Sequence, residues 1–440
     1  MAPLQHNAER VIIKEIQKYS RPLQNEQDLQ PLYDRIGNAK IVMLGEASHG
    51  THEYYTWRAR ISKKLIQEHG FSFIAVEGDW PDCYHLNRFI KGYEHTSAQA
   101  HEVLQEFNRW PTWMWANWEV AALAEWLKKH NHKLDAARKV GFYGLDVYSL
   151  WESMDSIMDY LKKVDPEALK VAQEAFRCFE PYREDEGQSY ARASRLVPDL
   201  CRNEVVTLLQ ELRAKLPQYD TDYENTFSAE QNAIVAVNAE KYYRAMTEGG
   251  SATWNLRDRH MADTLDRLLQ FHGKDAKAIV WAHNTHIGDA RATDMAADGM
   301  FNIGELARRE YPEKDVVLVG FGSYKGSVIA GSSWGADMEV MPVPEGRKGS
   351  WEYLLHHAGN YDQLIMTADL KKGLPGQLEI GHRAIGVVYR PQYEQYGNYV
   401  PSVIPDRYDA FIYINETRAL YPLRTNHQNK GMPDTYPFGT

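Results

Sequence analysis

The chain has 440 residues, 43% of them hydrophobic and 25% charged, with a formal net charge of -10. This is the composition of an ordinary folded globular protein, long enough for a large core with a second lobe. The acidic balance excludes the basic face that a nucleic-acid partner needs, and no run of ~18 apolar residues exists to span a membrane.

The N-terminal stretch lacks a basic segment followed by an apolar one, so no secretory signal is read there. The three cysteines, Cys83, Cys178 and Cys201, show no C-x-x-C spacing. Together these features read as reduced thiols in a cytoplasmic protein.

In chain order, helical periodicity predicts helices over Ala8–Tyr19, Tyr54–Glu68, Pro81–Lys91 and Asn117–His130. Short β-branched runs lie between them: IVMLGEASHG from Ile41, FSFIAVEGDW from Phe71 and VGFYGLDVY from Val140. This alternation predicts βαβ units and a mostly parallel α/β sheet flanked by helices. From about Trp151 to His272 the pattern is helical almost throughout, which reads as an inserted helical lobe. The α/β pattern resumes with AIVWAHNTHIGD from Ala278, a helix near Asn302–Glu310 and a strand over Val316–Gly320. Beyond Gly322, the runs GSVIAG, MEVMPV, AIGVVYRP and AFIYINET suggest a small C-terminal α+β annex. The expected division is a core of residues 1–150 and 276–322, a helical lobe of 151–275 and an annex of 323–440.

Four of the strand-like runs end in ionisable residues. Glu46 and His49 follow the first, Glu77 and Asp79 the second, Asp146 the third, and His283 and His286 the fourth. Ligands of parallel sheets bind beyond the carboxyl ends of the strands, so side-by-side runs would gather these groups at one rim. A histidine held by a carboxylate can act as general base toward water, because its intrinsic pKa lies near neutrality. The glycines of Gly45-Glu-Ala-Ser-His-Gly50 would permit a tight turn and close approach of substrate to the backbone. The helix expected from Thr51 or His52 would present free N–H groups to an oxyanion. Read blandly, the same Glu and His merely cap a helix, but four similar strand ends favour function. Asp79 has a stronger structural alternative, because it can cap the helix that Pro81 opens.

His49, His52, Glu53, Glu77, Asp79, Asp146, His283 and His286 would also suffice as metal ligands, yet no H-E-x-x-H or similarly tight spacing occurs. No cofactor is expected, with a divalent metal in the Glu/His cluster left open. Gly331-Ser-Ser333-Trp-Gly335 matches G-x-S-x-G, but the following ADMEVMPVP reads as extended, whereas a nucleophile elbow needs a helix. Trp334 is read instead as a pocket wall. No P-loop or strand–G-x-G-x-x-G–helix motif supports a nucleotide. Trp110, Trp113, Trp115, Trp118 and Trp126 crowd one stretch, mostly as packing and in part as a candidate groove.

GEASHGTHEYYTWR, AVEGDWPD, RWPTWMWANWEV, GFYGLDVYSL, WNLRDRHM and WAHNTHIGDARAT together resemble the erythromycin esterase family. Within it they resemble the broad bacterial branch also labelled succinoglycan biosynthesis proteins. The resemblance runs from about residue 30 to 425. It implies an α/β core, a helical lobe and a cleft between them, with macrolactone hydrolysis by histidine-activated water and no serine nucleophile. Carried over by motif position, it makes His49 the base, with Glu46 and Glu77 orienting it and positioning water. Arg58 would stabilise negative charge and His286 would assist. Asp79, Trp80, Asp146, His283, Arg291 and Trp334 are the candidate substrate contacts. Membership does not carry the macrolide substrate with it, because function resides in the site.

The resulting expectation is a cytoplasmic hydrolase of a small-molecule ester or lactone. A metal-dependent hydrolase using the same cluster and a non-catalytic binder of a natural product or polysaccharide precursor are the alternatives. No nucleic-acid or membrane partner is expected, and the oligomeric state is left open.

Overall fold

The computed structural model describes residues 6–424, apart from 95–97, 184–187, 198–199, 216–217, 220–221, 247–249, 375 and 377. Eleven strands are described: β1 Ser20–Pro22, β2 Ile41–Leu44, β3 Phe73–Val76, β4 Gly141–Gly144, β5 Ala278–Trp281, β6 Val316–Gly331, β7 Met338–Val343, β8 Gln363–Met366, β9 Ile380–Arg383, β10 Tyr399–Ser402 and β11 Ala410–Thr417. Nine of them build one sheet in the order β1-β8-β11-β6-β2-β5-β3-β4, with β7 paired to β6. The run from β11 to β4 is parallel throughout, and β8, β1 and β7 add antiparallel pairings. The fold is thus α/β on a mostly parallel sheet.

Strand sequences such as Ile-Val-Met-Leu in β2 are apolar at every position because both faces are covered. Alternate residues serve different layers. Val42, Leu44, Ile74, Val76, Ile279 and Trp281 join one core, which helices His52–His69 and Trp118–Asn131 complete. Ile41, Met43, Phe73, Ala75 and Val280 join the other, with residues of helices His6–Tyr19, Ala252–His272 and Trp351–Ala358. Each fully buried Val, Leu, Ile or Phe contributes about 1.5–3 kcal/mol, so a register slip that exchanged the faces is strongly disfavoured.

The middle of the chain forms helices Leu150–Val164, Pro166–Phe179, Gln188–Ser194, Arg202–Lys215, Tyr223–Ala245 and Ala252–His272. The first five pack around a third core that takes no residue from the sheet strands. Here the thiol expectation is corrected, because Cys178 and Cys201 form a disulfide across 23 residues. Packing of helices brings together two cysteines that no local motif links. Cys83 is the free, buried thiol among the described residues. No described helix is long and apolar enough to cross a membrane.

The stretch expected as an annex supplies β8 and β11 to the central sheet itself; its last residues, 425–440, lie outside the described ones. The strand expected to stop at Gly320 continues to Gly331. Gly320 does not break it but makes room for the Tyr408 ring, which a Cβ would meet at 2.7 Å. AIGVVYRP forms no regular strand beyond isolated bridges of Ile385 and Val388.

Candidate active site

Strands β2, β5, β3 and β4 are neighbours and parallel, so their carboxyl ends share one edge and the four ionisable clusters meet there. The first cluster follows β2. His49 Nδ1 lies 2.9 Å from Glu46 Oε1, and Arg58 Nη2 donates to Glu46 Oε2 at 2.6 Å. All three side chains are buried. Arg58 is sandwiched between the rings of Tyr55 and Trp281, at 4.4 and 4.7 Å. Glu46 therefore fixes one ring nitrogen of His49 and leaves Nε2 as the nitrogen available to water or substrate.

The second cluster centres on Arg257, from helix Ala252–His272. Its Nε donates to Asp146 Oδ1 at 3.0 Å, and Nη2 donates to Asp146 Oδ2 and Glu77 Oε1, each at 2.7 Å. Glu77 Oε2 accepts the backbone N–H of His283 at 2.8 Å. His286 stands behind, with Nδ1 2.9 Å from Asp258 Oδ1 and Nε2 2.9 Å from Arg257 Nη1 and 3.3 Å from Glu77 Oε1. Burial opposes charge on all of these groups; pairing outweighs it at Glu77, Asp146, Arg257 and His286, whereas burial prevails at Asp258 and pushes its carboxyl up. Against burial, His286 and Arg257 hold Glu77 well below the usual carboxylate range, while Asp258 and Glu77 push His286 up to about 10.

Between the clusters lies a cleft lined by His49, Glu77, Asp79, Asp82, Asp146 and Arg257, with an apolar wall from residues 107–115. Tyr148, Arg109 and Val387 also line it. Its water-accessible volume is about 70 Å³. A bound water needs about 10–15 Å³ on this scale, so the cleft holds a few waters or a small acyl group. Asp79 is forked onto Arg109, which donates through Nε at 2.6 Å and Nη2 at 3.2 Å. Although Asp79 sits at the N-cap of helix Trp80–Ile90, its side chain caps nothing.

The sequence-derived candidates thus fall into distinct positions. His49, Glu77, Asp79 and Asp146 line the cleft, and Glu46 supports His49 from behind. Arg58 lies beyond Glu46, outside the cleft lining, so it steadies the Glu46 carboxylate rather than facing a substrate. His286 stands behind Arg257. His283 packs against His49, ring centroids 4.9 Å apart, and caps helix Asn284–Ile287.

Three candidate substrate contacts lie elsewhere. Trp80 is fully buried on the opposite sheet face, stacked on Tyr143 at 5.6 Å, because the first helical turn rotates it away from the rim. Arg291 sits on the surface, paired with Asp289 at 2.7 Å. Trp334 occupies the turn between β6 and β7 and touches Trp110 edge-on at 5.4 Å, one layer behind the cleft. That turn joins two antiparallel strands, so G-x-S-x-G forms no nucleophile elbow here.

Gly45 and Gly50 admit protein rather than substrate. A Cβ would lie 2.1 Å from Asn284 Oδ1 at the former and 1.9 Å from the Ile329 carbonyl oxygen at the latter. The N-terminus of helix His52–His69 is also covered, since the His52 N–H donates to the Arg418 carbonyl at 2.8 Å. Of the clustered tryptophans, Trp110 and Trp115 line the cleft, Trp113 is core and Trp118 is about half exposed. Sequence reasoning assigned no role to Arg257, Asp258, Arg109 or Asp82. Arg257 and Asp258 left a signal, as adjacent charges on a helix face otherwise formed by Trp254, Met261, Leu265 and Leu268.

Among the described residues, no group of three or more His, Cys, Asp or Glu is placed to hold a metal ion. Arg257 is already paired with Glu77 and Asp146, and Arg109 with Asp79, while His52 pairs with Glu119 and Glu53 with Arg418.

The erythromycin esterase family profile matches residues 66–417. The chain is 24% identical to erythromycin esterase type II of Escherichia coli, over 84% of this chain and 96% of that protein. Its fold is similar to the crystal structure of a succinoglycan biosynthesis protein, with TM-score 0.76, 21% identity and coverage of 95% of this chain and 100% of that one. It is also similar to a mutant of the erythromycin esterase EreC in its open conformation, with TM-score 0.67, 16% identity and coverage of 90% and 98%. The match spans most of the chain, the β3–β4 side of the cleft included: the protein belongs to the erythromycin esterase family.

Proposed function

We propose that this protein hydrolyses a small-molecule ester or lactone by direct attack of a water molecule, with His49 as general base. The observation that carries this reading is the buried Glu46–His49 pair at the wall of a cleft that no described serine or cysteine lines. With Nδ1 committed to Glu46, His49 Nε2 accepts a proton from water, and the hydroxide adds to the carbonyl carbon. Arg257, held in place by Glu77 and Asp146, is the guanidinium that meets the developing oxyanion. Collapse of the tetrahedral adduct expels the alkoxide, which takes the proton back from His49. Family membership supports an ester substrate, and the narrow cleft supports a small one, since pockets for drug-sized ligands run about 300–1,000 Å³.

Hydrolysis of an ester and lactone panel, macrolides included, with and without chelator, tests the reading. Turnover of small esters that survives chelation is expected. Binding without turnover across the panel, or activity that chelation abolishes and a divalent metal restores, would sink it.

A further inference from the structure

The charges lining the cleft do not balance. Glu77, Asp79, Asp82 and Asp146 face Arg109 and Arg257, an excess of two carboxylates. Arg257 bridges Glu77 and Asp146, and Arg109 is forked onto Asp79. Asp82 is the remaining acid, and no described residue forms an ion pair or hydrogen bond with its carboxylate. It lies three residues after Asp79 at the start of helix Trp80–Ile90, so the two carboxylates share one helix face. The same cleft is lined by the rings of Phe107, Trp110 and Trp115, and by Tyr148, whose ring already has the Arg109 and Arg257 guanidiniums over it at 5.4 and 4.9 Å. These rings are almost wholly buried.

An unpaired carboxylate beside several aromatic faces is the recognition chemistry of an organic cation, with tryptophan the strongest ring partner. An anionic substrate would meet the excess of carboxylates instead. Resting on the hydrolase reading above, we propose that the cleft selects esters carrying a small alkylammonium group, with Asp82 as its counter-charge and the aromatic rings as its cage. Burial pushes the Asp82 carboxyl up, and Asp79 and Glu152 push it further. A bound cation would relieve that repulsion. A carboxylate in a first helical turn also has a bland reason to exist, because it complements the helix dipole. The test must therefore read selectivity as well as stability.

Acetylcholine and its neutral carbon isostere, in which a tert-butyl group replaces trimethylammonium, differ in charge at nearly equal shape. The wild type should prefer the cationic ester by about tenfold or more in kcat/KM, the scale of a partly desolvated cation–aromatic contact. Asp82→Asn should bring the two esters near parity, chiefly through KM. Equal kcat/KM values in the wild type, or an unchanged preference in a folded Asp82→Asn, overturn the proposal. Calorimetric titration of the wild type with tetramethylammonium is independent of both the variant's folding and the chemistry. Binding with no hydrolysis of either ester keeps the cation site and discards the hydrolase reading. Hydrolysis of both esters with no binding and no preference does the reverse.

Discussion

The two sides of the cleft are built from the same residue types and arranged to opposite ends. On the β2 side one carboxylate, Glu46, serves one histidine and one arginine, and a nitrogen of His49 is left over. On the β3–β4 side the carboxylates of Glu77, Asp146 and Asp258 surround Arg257 and His286, and each of these groups has a partner within the network. The difference teaches how buried ionisable groups divide labour. A closed network is a rigid wall with fixed charge, whereas a network one partner short offers a group that can exchange protons with a ligand.

The largest effect that would separate the two sides is on rate. His49→Ala should lower kcat by about 10²–10⁴-fold, the usual contribution of a general base, while its thermal unfolding stays near that of the wild type. Arg257→Met should instead act first on stability. Leaving Glu77 and Asp146 buried without their cation costs about 3–5 kcal/mol, read from urea denaturation; an unchanged midpoint would mean that the wall is not held by this arginine. Next in size is the lobe. Cys178→Ser should remove about 3 kcal/mol from its unfolding, the loop-closure value for a bridge of this span, and leave ester turnover intact. A fall in turnover matching that in stability would tie the lobe to the chemistry.

The smallest effect is the pH dependence of the closed side. His286 is raised from 6.5 to about 10 in the folded protein, so its stabilisation is fully present below about pH 6.5 and is lost as pH rises through about 10. The melting temperature of the wild type should therefore fall more steeply over that interval than that of His286→Asn. Parallel curves would show that the ring is neutral in the wall.

Much of the open side was legible in the sequence, because its signal is local. Ile41–Leu44 reads as a doubly buried strand, and Glu46 and His49 lie within the next five residues. The closed side was legible only in part. Glu77 and Asp146 also end strands, but the arginine that pairs them comes from a helix 180 and 111 residues away along the chain. Arg58 shows the complementary limit: its motif marked it as important, yet only packing places it behind Glu46, between two aromatic rings. Trp80 sits beside Asp79 in sequence, but one step into a helix carries it to the other face of the sheet. The Cys178–Cys201 bridge was invisible for a similar reason, since helix packing alone brings the thiols together.

The central claim is that the nitrogen left over on the open side performs the chemistry. Initial rates of small-ester hydrolysis by wild type and by a His49→Ala variant of matched melting temperature test it most directly. The account predicts a loss of about 10²–10⁴-fold in kcat. Near-wild-type turnover in the folded variant would contradict it.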